Sequence, residues 1–75
     1  MNPETMKTLQ DWLRGRDYTL EQAGANLILR YRGQERAVIT PPDRYQVKNV
    51  DMNFNEWVEF NKCIRNIRHY LNAQS

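Results

Sequence analysis

The sequence is poor in the residues on which most small-protein chemistry rests. It has one cysteine, Cys63, and one histidine, His69. A lone thiol cannot close an internal disulfide, and small secreted domains usually carry several, so a reducing cytoplasm is the expected compartment. A zinc site gathers about four Cys, His or carboxylate ligands. Here no metal and no other cofactor is expected. The three glycines stand apart at 15, 24 and 33, with no Gly-Lys-Ser/Thr phosphate loop and no nucleophile elbow among them. Neither a repeat nor a low-complexity tract occurs. No apolar run nears the roughly 18 residues that cross a bilayer. Met1 to Thr5 carries neither a basic stretch nor an apolar one, so neither a secretory signal nor membrane attachment is expected.

An excess of one charge is also lacking. Eleven Lys and Arg face nine Asp and Glu, a net charge of +2. Nucleic-acid domains commonly show a clustered, strongly basic face. A balance of +2 permits that role without indicating it.

What is present is a core-forming composition: 40% of the 75 residues are hydrophobic, and two Trp, four Tyr and two Phe stand among them. That argues against disorder. The length fits one domain, residues 1–75. A chain this short buries roughly 60% of its unfolded surface and holds two helices and a few strands. It has no room for a catalytic domain with a deep cofactor pocket.

The first helix is expected from Pro3 to Gly15. Asn2 suits the N-cap, and Pro3 suits the first helical position, where its missing N–H costs nothing. Met6, Leu9 and Leu13 form one apolar stripe with Trp12 at its margin. Lys7, Asp11 and Arg14 take the opposite face at ion-pair spacing, and Gly15 suits the C-cap. Residues 16 to 26 read as a connection, with Tyr18 and Leu20 a short edge segment and Ala23 to Asn26 a turn.

Leu27 to Thr40 reads as a hairpin closed by Gly33-Gln34 in a type II′ turn. That register sets Arg32 opposite Glu35 and Leu29 opposite Val38. It puts Leu27, Leu29 and Tyr31 on the core side and Ile28, Arg30, Arg32, Ala37 and Ile39 on the other. Pro41-Pro42 ends the second arm, and Tyr45 to Val50 alternates as a third strand.

The clearest element is a helix from Phe54 to Asn72. Asn53 is its N-cap, Glu56 completes a capping box, and Met52 with Trp57 has the spacing of a hydrophobic staple. Trp57, Phe60, Ile64, Ile67 and Leu71 form its apolar stripe, widened by Cys63 and Tyr70. Lys62, Arg65 and His69 take the opposite face. Two amphipathic helices and one amphipathic sheet combine as a two-layer α+β sandwich, αβββα, with both helices on one face of a small antiparallel sheet.

The order helix, three strands, helix resembles the double-stranded-RNA-binding fold and the small RNA-cleaving toxins that share it. The resemblance is one of topology. The binding family sets a lysine cluster at the start of its last helix, where this chain has Asn55, Glu56 and Glu59. The toxins set a histidine on an early strand, whereas His69 lies on the last helix. Neither activity is implied.

His69 has no acidic neighbour at helical spacing to orient its ring, and a solvated histidine near a helix C-terminus accounts for it. Cys63 sits mid-helix beside the apolar stripe, an ordinary core position. Glu56 and Glu59 suit the positive end of a helix dipole. Lys62, Arg65 and Arg68 follow Phe60 with no acid before Ser75. Together with Arg30 and Arg32 they offer phosphate contacts if the fold brings them together. Trp12, at the stripe's margin beside Arg14, suits a protein-binding anchor.

The expected function is that of a small non-catalytic binding module. It suits a regulator or inhibitor of the size that phages and mobile elements encode, acting by protein–protein contact on another protein or on a second copy of itself. The alternative is nucleic-acid binding through the basic face of the last helix and the hairpin arginines. The candidate partner-binding residues are Trp12, Arg14, Arg30, Arg32, Lys62, Arg65 and His69. No catalytic residue is assigned.

Overall fold

The computed structural model describes residues 3–41 and 43–74. The elements are α1 (Pro3–Arg14), β1 (Tyr18–Ala23), β2 (Asn26–Tyr31), β3 (Gln34–Thr40), β4 (Arg44–Val47) and α2 (Phe54–Gln74). The strands form one antiparallel meander, β1-β2-β3-β4. One buried cluster takes Leu9 and Leu13 from α1 and Phe60, Cys63 and Ile67 from α2. The sheet supplies Tyr18, Leu20, Leu27, Leu29, Ala37 and Ile39. Both helices therefore cover the same sheet face, and the class is α+β.

The sheet has four strands rather than three. Residues 18 to 23 are a full strand, paired along its length with β2. Tyr18 and Leu20 are its buried positions, while Glu21 to Ala23 are exposed. The half-polar sequence Tyr18-Thr-Leu-Glu-Gln-Ala gave only two inward positions to read. Gly24 has φ 62, as the first residue of a type II′ turn requires. Gln10 of α1 donates to the Leu20 carbonyl at 2.8 Å and ties the helix to this strand.

The β2–β3 hairpin turns one residue earlier than the sequence reading placed it. Tyr31 pairs with Gln34, and both turn residues have positive φ, Arg32 at 50° and Gly33 at 84°. That is the type I′ pattern, whose twist matches the flanking strands. Arg30, not Arg32, then faces Glu35. A bulge follows: Leu29 pairs with Ala37, so Arg36 is the extra residue. Since side chains alternate with period two, one extra residue exchanges the two faces of β3. Ala37 and Ile39 go to the core and Val38 to the far face, the reverse of the expected sides.

β4 spans residues 44 to 47, shorter than the expected 45 to 50. Asn49 takes φ 54, a left-handed conformation that Asn tolerates and a strand cannot contain. Its side-chain amide donates to the Glu35 carbonyl at 2.6 Å, and the Lys48 N–H donates to the Arg36 carbonyl at 2.7 Å. The connector thus clamps the bulge.

Helix α1 ends without using Gly15 as its left-handed residue. Arg16 and Asp17 donate to the carbonyls of Leu13 and Arg14, and Asp17 takes φ 65. The expected N-cap, Asn2, and Pro42 lie outside the described residues. In α2, Asn53 caps the Glu56 N–H at 2.9 Å. The Glu56 carboxylate faces Arg36 rather than returning to close the box. The buried line of α2 runs through Phe60, Cys63 and Ile67, and Cys63 is at its centre. Ile64 and Leu71 are only half-buried, and Trp57 is 45% exposed. No helix among the described residues is long and apolar enough to cross a membrane.

Candidate functional site

Three surface regions carry the features a partner would meet. The first runs from the end of β4 to the first turn of α2. Val47, Val50, Phe54 and Trp57 are 45, 58, 77 and 45% exposed. Val47 closes an edge strand, Val50 follows the left-handed Asn49, and Phe54 and Trp57 are one turn apart on α2. Among the described residues β4 pairs only with β3, so its outer edge, which ends at Val47, has no strand partner. The sequence assigned Trp57 to the core. The helix is instead rotated so that Glu56, Phe60, Cys63 and Ile67 face inward.

The second region is a shallow hollow between the helices, about 280 Å³ in volume, lined by Trp12, Lys62, Arg65, Asn66 and His69. Four of the seven candidate residues therefore meet. The other three do not join them. Arg30 lies on the far sheet face and is bound to Glu21 at 2.5 Å. Arg32 sits in the hairpin turn, 3.3 Å from Asp17. Arg14 pairs with Asp11 at 3.4 Å. Arg16, not Arg14, stacks on Trp12, with its guanidinium carbon 4.4 Å from the ring centroid. The His69 ring stands edge-on to Tyr70 at 5.8 Å, and none of the residues lining this hollow is acidic.

The third region is larger, about 700 Å³, where the end of α1 and the start of β1 meet the end of β2 and the first turns of α2. Trp12, Tyr18 and Tyr31 give it aromatic walls, and Asp17, Glu56 and Glu59 line it with carboxylates. Tyr18 and Tyr31 pack with ring centroids 4.9 Å apart. Arg16 donates to Glu59. Behind this wall lies Arg36, only 5% exposed. It donates to the Asn49 carbonyl, and its Nη2 is 3.9 Å from the Glu56 carboxylate. Its guanidinium carbon is 5.4 Å from the Tyr31 ring centroid. The Arg36 Nε is buried without a partner among the described residues.

Burial is the main cause of two raised pKa values. It pushes the Tyr18 hydroxyl up to about 12 and the Cys63 thiol up to about 12, with Glu59 adding to the latter effect. A thiol held protonated and sealed in the core is the opposite of an activated nucleophile. Among the described residues no group of three or more His, Cys, Asp or Glu is placed to hold a metal ion.

Sequence reasoning missed Arg36, Arg16 and the outward turn of Trp57. Arg36 left one trace, an arginine directly before the apolar run Ala37-Val38-Ile39 of β3. The Arg16–Glu59 pair joins residues far apart in the chain and left none. Taken together, fold and surface define a small α+β protein with an aromatic, charge-paired hollow and an apolar margin. Comparison with protein-family models, curated proteins and solved structures finds no match.

Proposed function

We propose that this protein is a non-catalytic binding module that acts on another protein by covering part of its surface, as a regulator or inhibitor. The exposed stretch Val47, Val50, Phe54 and Trp57, which starts at the end of edge strand β4, carries the reading. Large apolar side chains turned to water beside unpaired strand groups are the features of strand addition, in which the backbone supplies hydrogen bonds and the apolar groups supply selectivity. A buried, protonated Cys63 and a His69 with no carboxylate in its hollow support the non-catalytic part.

The alternative, nucleic-acid binding, draws on Lys62, Arg65 and His69 around Trp12. Its support is narrower than the sequence allowed. The hairpin arginines are engaged with Glu21 and Asp17, and Arg30 is on the far face of the sheet. Three groups on one helix neutralise few phosphates.

Affinity capture from source-cell lysate, with and without nuclease, separates the two. Wild type and a Lys62→Glu/Arg65→Glu variant are expected to retain the same protein after nuclease. A Phe54→Asp/Trp57→Asp variant is expected to lose it. Recovery that vanishes with nuclease and with the Lys62→Glu/Arg65→Glu variant, but survives Phe54→Asp/Trp57→Asp, overturns the proposal.

A further inference from the structure

We propose that the 700 Å³ hollow is a receptor for a guanidinium side chain presented by a protein partner, with Arg16 as the in-chain occupant that it displaces; the proposal builds on the protein-binding reading above. The chain recognises arginine here three times, each time with an aromatic face and a carboxylate. Arg16 lies on Trp12 and donates to Glu59. Arg32 lies 5.2 Å from the Tyr31 centroid and pairs with Asp17. Arg36 lies 5.4 Å from the same centroid and faces Glu56. A planar cation satisfies both halves of such a site, stacking on the ring while donating to the carboxylate.

The three occupants differ in how firmly they are held. Arg36 is sealed and fixed by the Asn49 carbonyl. Arg32 belongs to the hairpin turn. Arg16 is on the short link after α1, with 35% of its side chain exposed, and among the described residues it stacks on Trp12 and pairs with Glu59. It is the one an incoming group can replace. The Glu56 carboxylate, 3.9 Å from Arg36, is beyond hydrogen-bond reach and keeps acceptor capacity toward the hollow. A guanidinium seated over Trp12 meets Glu59, as Arg16 does, with Lys62 3.9 Å from that carboxylate, and Glu56 lines the same hollow. A phosphate or carboxylate ligand would meet Arg16 but also three carboxylates of its own sign, Asp17, Glu56 and Glu59.

The test uses the Trp57→Phe protein, so that Trp12 is the remaining indole, and follows its emission during titration with N-acetyl-arginine amide. Saturable binding is expected, with N-acetyl-lysine amide weaker and N-acetyl-aspartate amide and inorganic phosphate without effect. Removing the internal competitor by Arg16→Ala is expected to tighten arginine binding by about tenfold. Arg16→Gln, which keeps the stem over Trp12, is expected to act in the same direction and covers the case in which the alanine variant does not fold. Glu56→Gln/Glu59→Gln is expected to weaken binding by roughly tenfold or more, as loss of charge-assisted hydrogen bonds does. Circular dichroism checks that each variant is folded. Equal binding of arginine and lysine, anion binding, or affinities indifferent to Arg16 and to the two glutamates overturn the proposal. Failure here with lysate capture intact removes only the guanidinium site. Arginine binding without a captured protein removes only the broader reading.

Discussion

Arg36 is a cation almost sealed from water, held by a hydrogen bond to one carbonyl and by an ion pair, 3.9 Å long and beyond hydrogen-bond reach, to one carboxylate. Removing one member of a fully buried ion pair costs about 3–5 kcal/mol, because the other charge is stranded. Glu56 is partly exposed and can rehydrate, so Arg36→Ala is expected to cost less, about 2–3 kcal/mol. Arg36→Met fills most of the same space and is expected to cost less again. Urea unfolding of the three proteins measures the order; an alanine variant as stable as wild type contradicts it. Tyr45 offers the opposite case. Its hydroxyl is buried with no partner among the described residues, and burial raises its pKa. A buried polar atom without a hydrogen bond costs about 1–3 kcal/mol. Tyr45→Phe discards that atom while keeping the ring and is expected to raise the unfolding midpoint, by roughly 0.5–1.5 kcal/mol of stability. A lowered midpoint shows that the hydroxyl is satisfied.

At the level of elements, the helices were legible because an apolar stripe of period 3.6 survives small errors of phase. Leu9 and Leu13 are buried as the stripe requires, and Asn53 caps α2 as its position before an apolar run indicates. The phase itself was less legible. Phe60 and Ile67 belong equally to a stripe through Trp57, Ile64 and Leu71 and to one through Cys63. Packing chose the second, and Trp57 went to the surface. Strands are less forgiving, since a shift of one residue exchanges their faces. In Glu35-Arg36-Ala37-Val38-Ile39 both phases offer apolar residues, so the bulge at Arg36, fixed by Asn49 more than ten residues away, was decisive and invisible locally. The turn carries its own prediction. Arg32 holds φ 50 where Asn is the favoured residue of a type I′ turn, and a left-handed conformation costs an ordinary residue about 1–2 kcal/mol. Arg32→Asn gives up an exposed ion pair with Asp17, worth at most about 1 kcal/mol. A net gain of roughly 0.5–1 kcal/mol is expected. Gly33→Ala, at φ 84, is expected to lose about 1–2 kcal/mol. Thermal or urea melts of both variants check the pair, and a destabilised Arg32→Asn refutes the account of the turn.

For the whole molecule, the candidate site depended on long-range assembly: Trp12 and Arg16 from one end of the chain meet Glu56 and Glu59 from the other. The same assembly seals Cys63 and Tyr18 in one core, and this gives the fold a defined response to alkali. Both groups are neutral when protonated, and burial raises both to about 12 in the folded state from ordinary values of 9.0 for the thiol and 10.0 for the phenol. Below pH 9 folded and unfolded chains hold these protons alike, and the stability is fully present. Between 9 and 10 the unfolded chain releases the thiol proton while the folded one keeps it, so the unfolded state gains by about 1.4 kcal/mol per pH unit. Above 10 the phenol adds an equal slope, until the folded groups themselves ionise near 12. Stability therefore falls as pH rises through this window, the sign expected when the native state binds more protons. Urea midpoints measured from pH 7 to 11 are expected to hold level to about 9 and then drop, steeper past 10. Cys63→Ala, though less stable at neutral pH through lost packing, is expected to delay the onset to about 10. A decline that begins at the same pH in Cys63→Ala as in wild type shows that the thiol is not the first group to drive it.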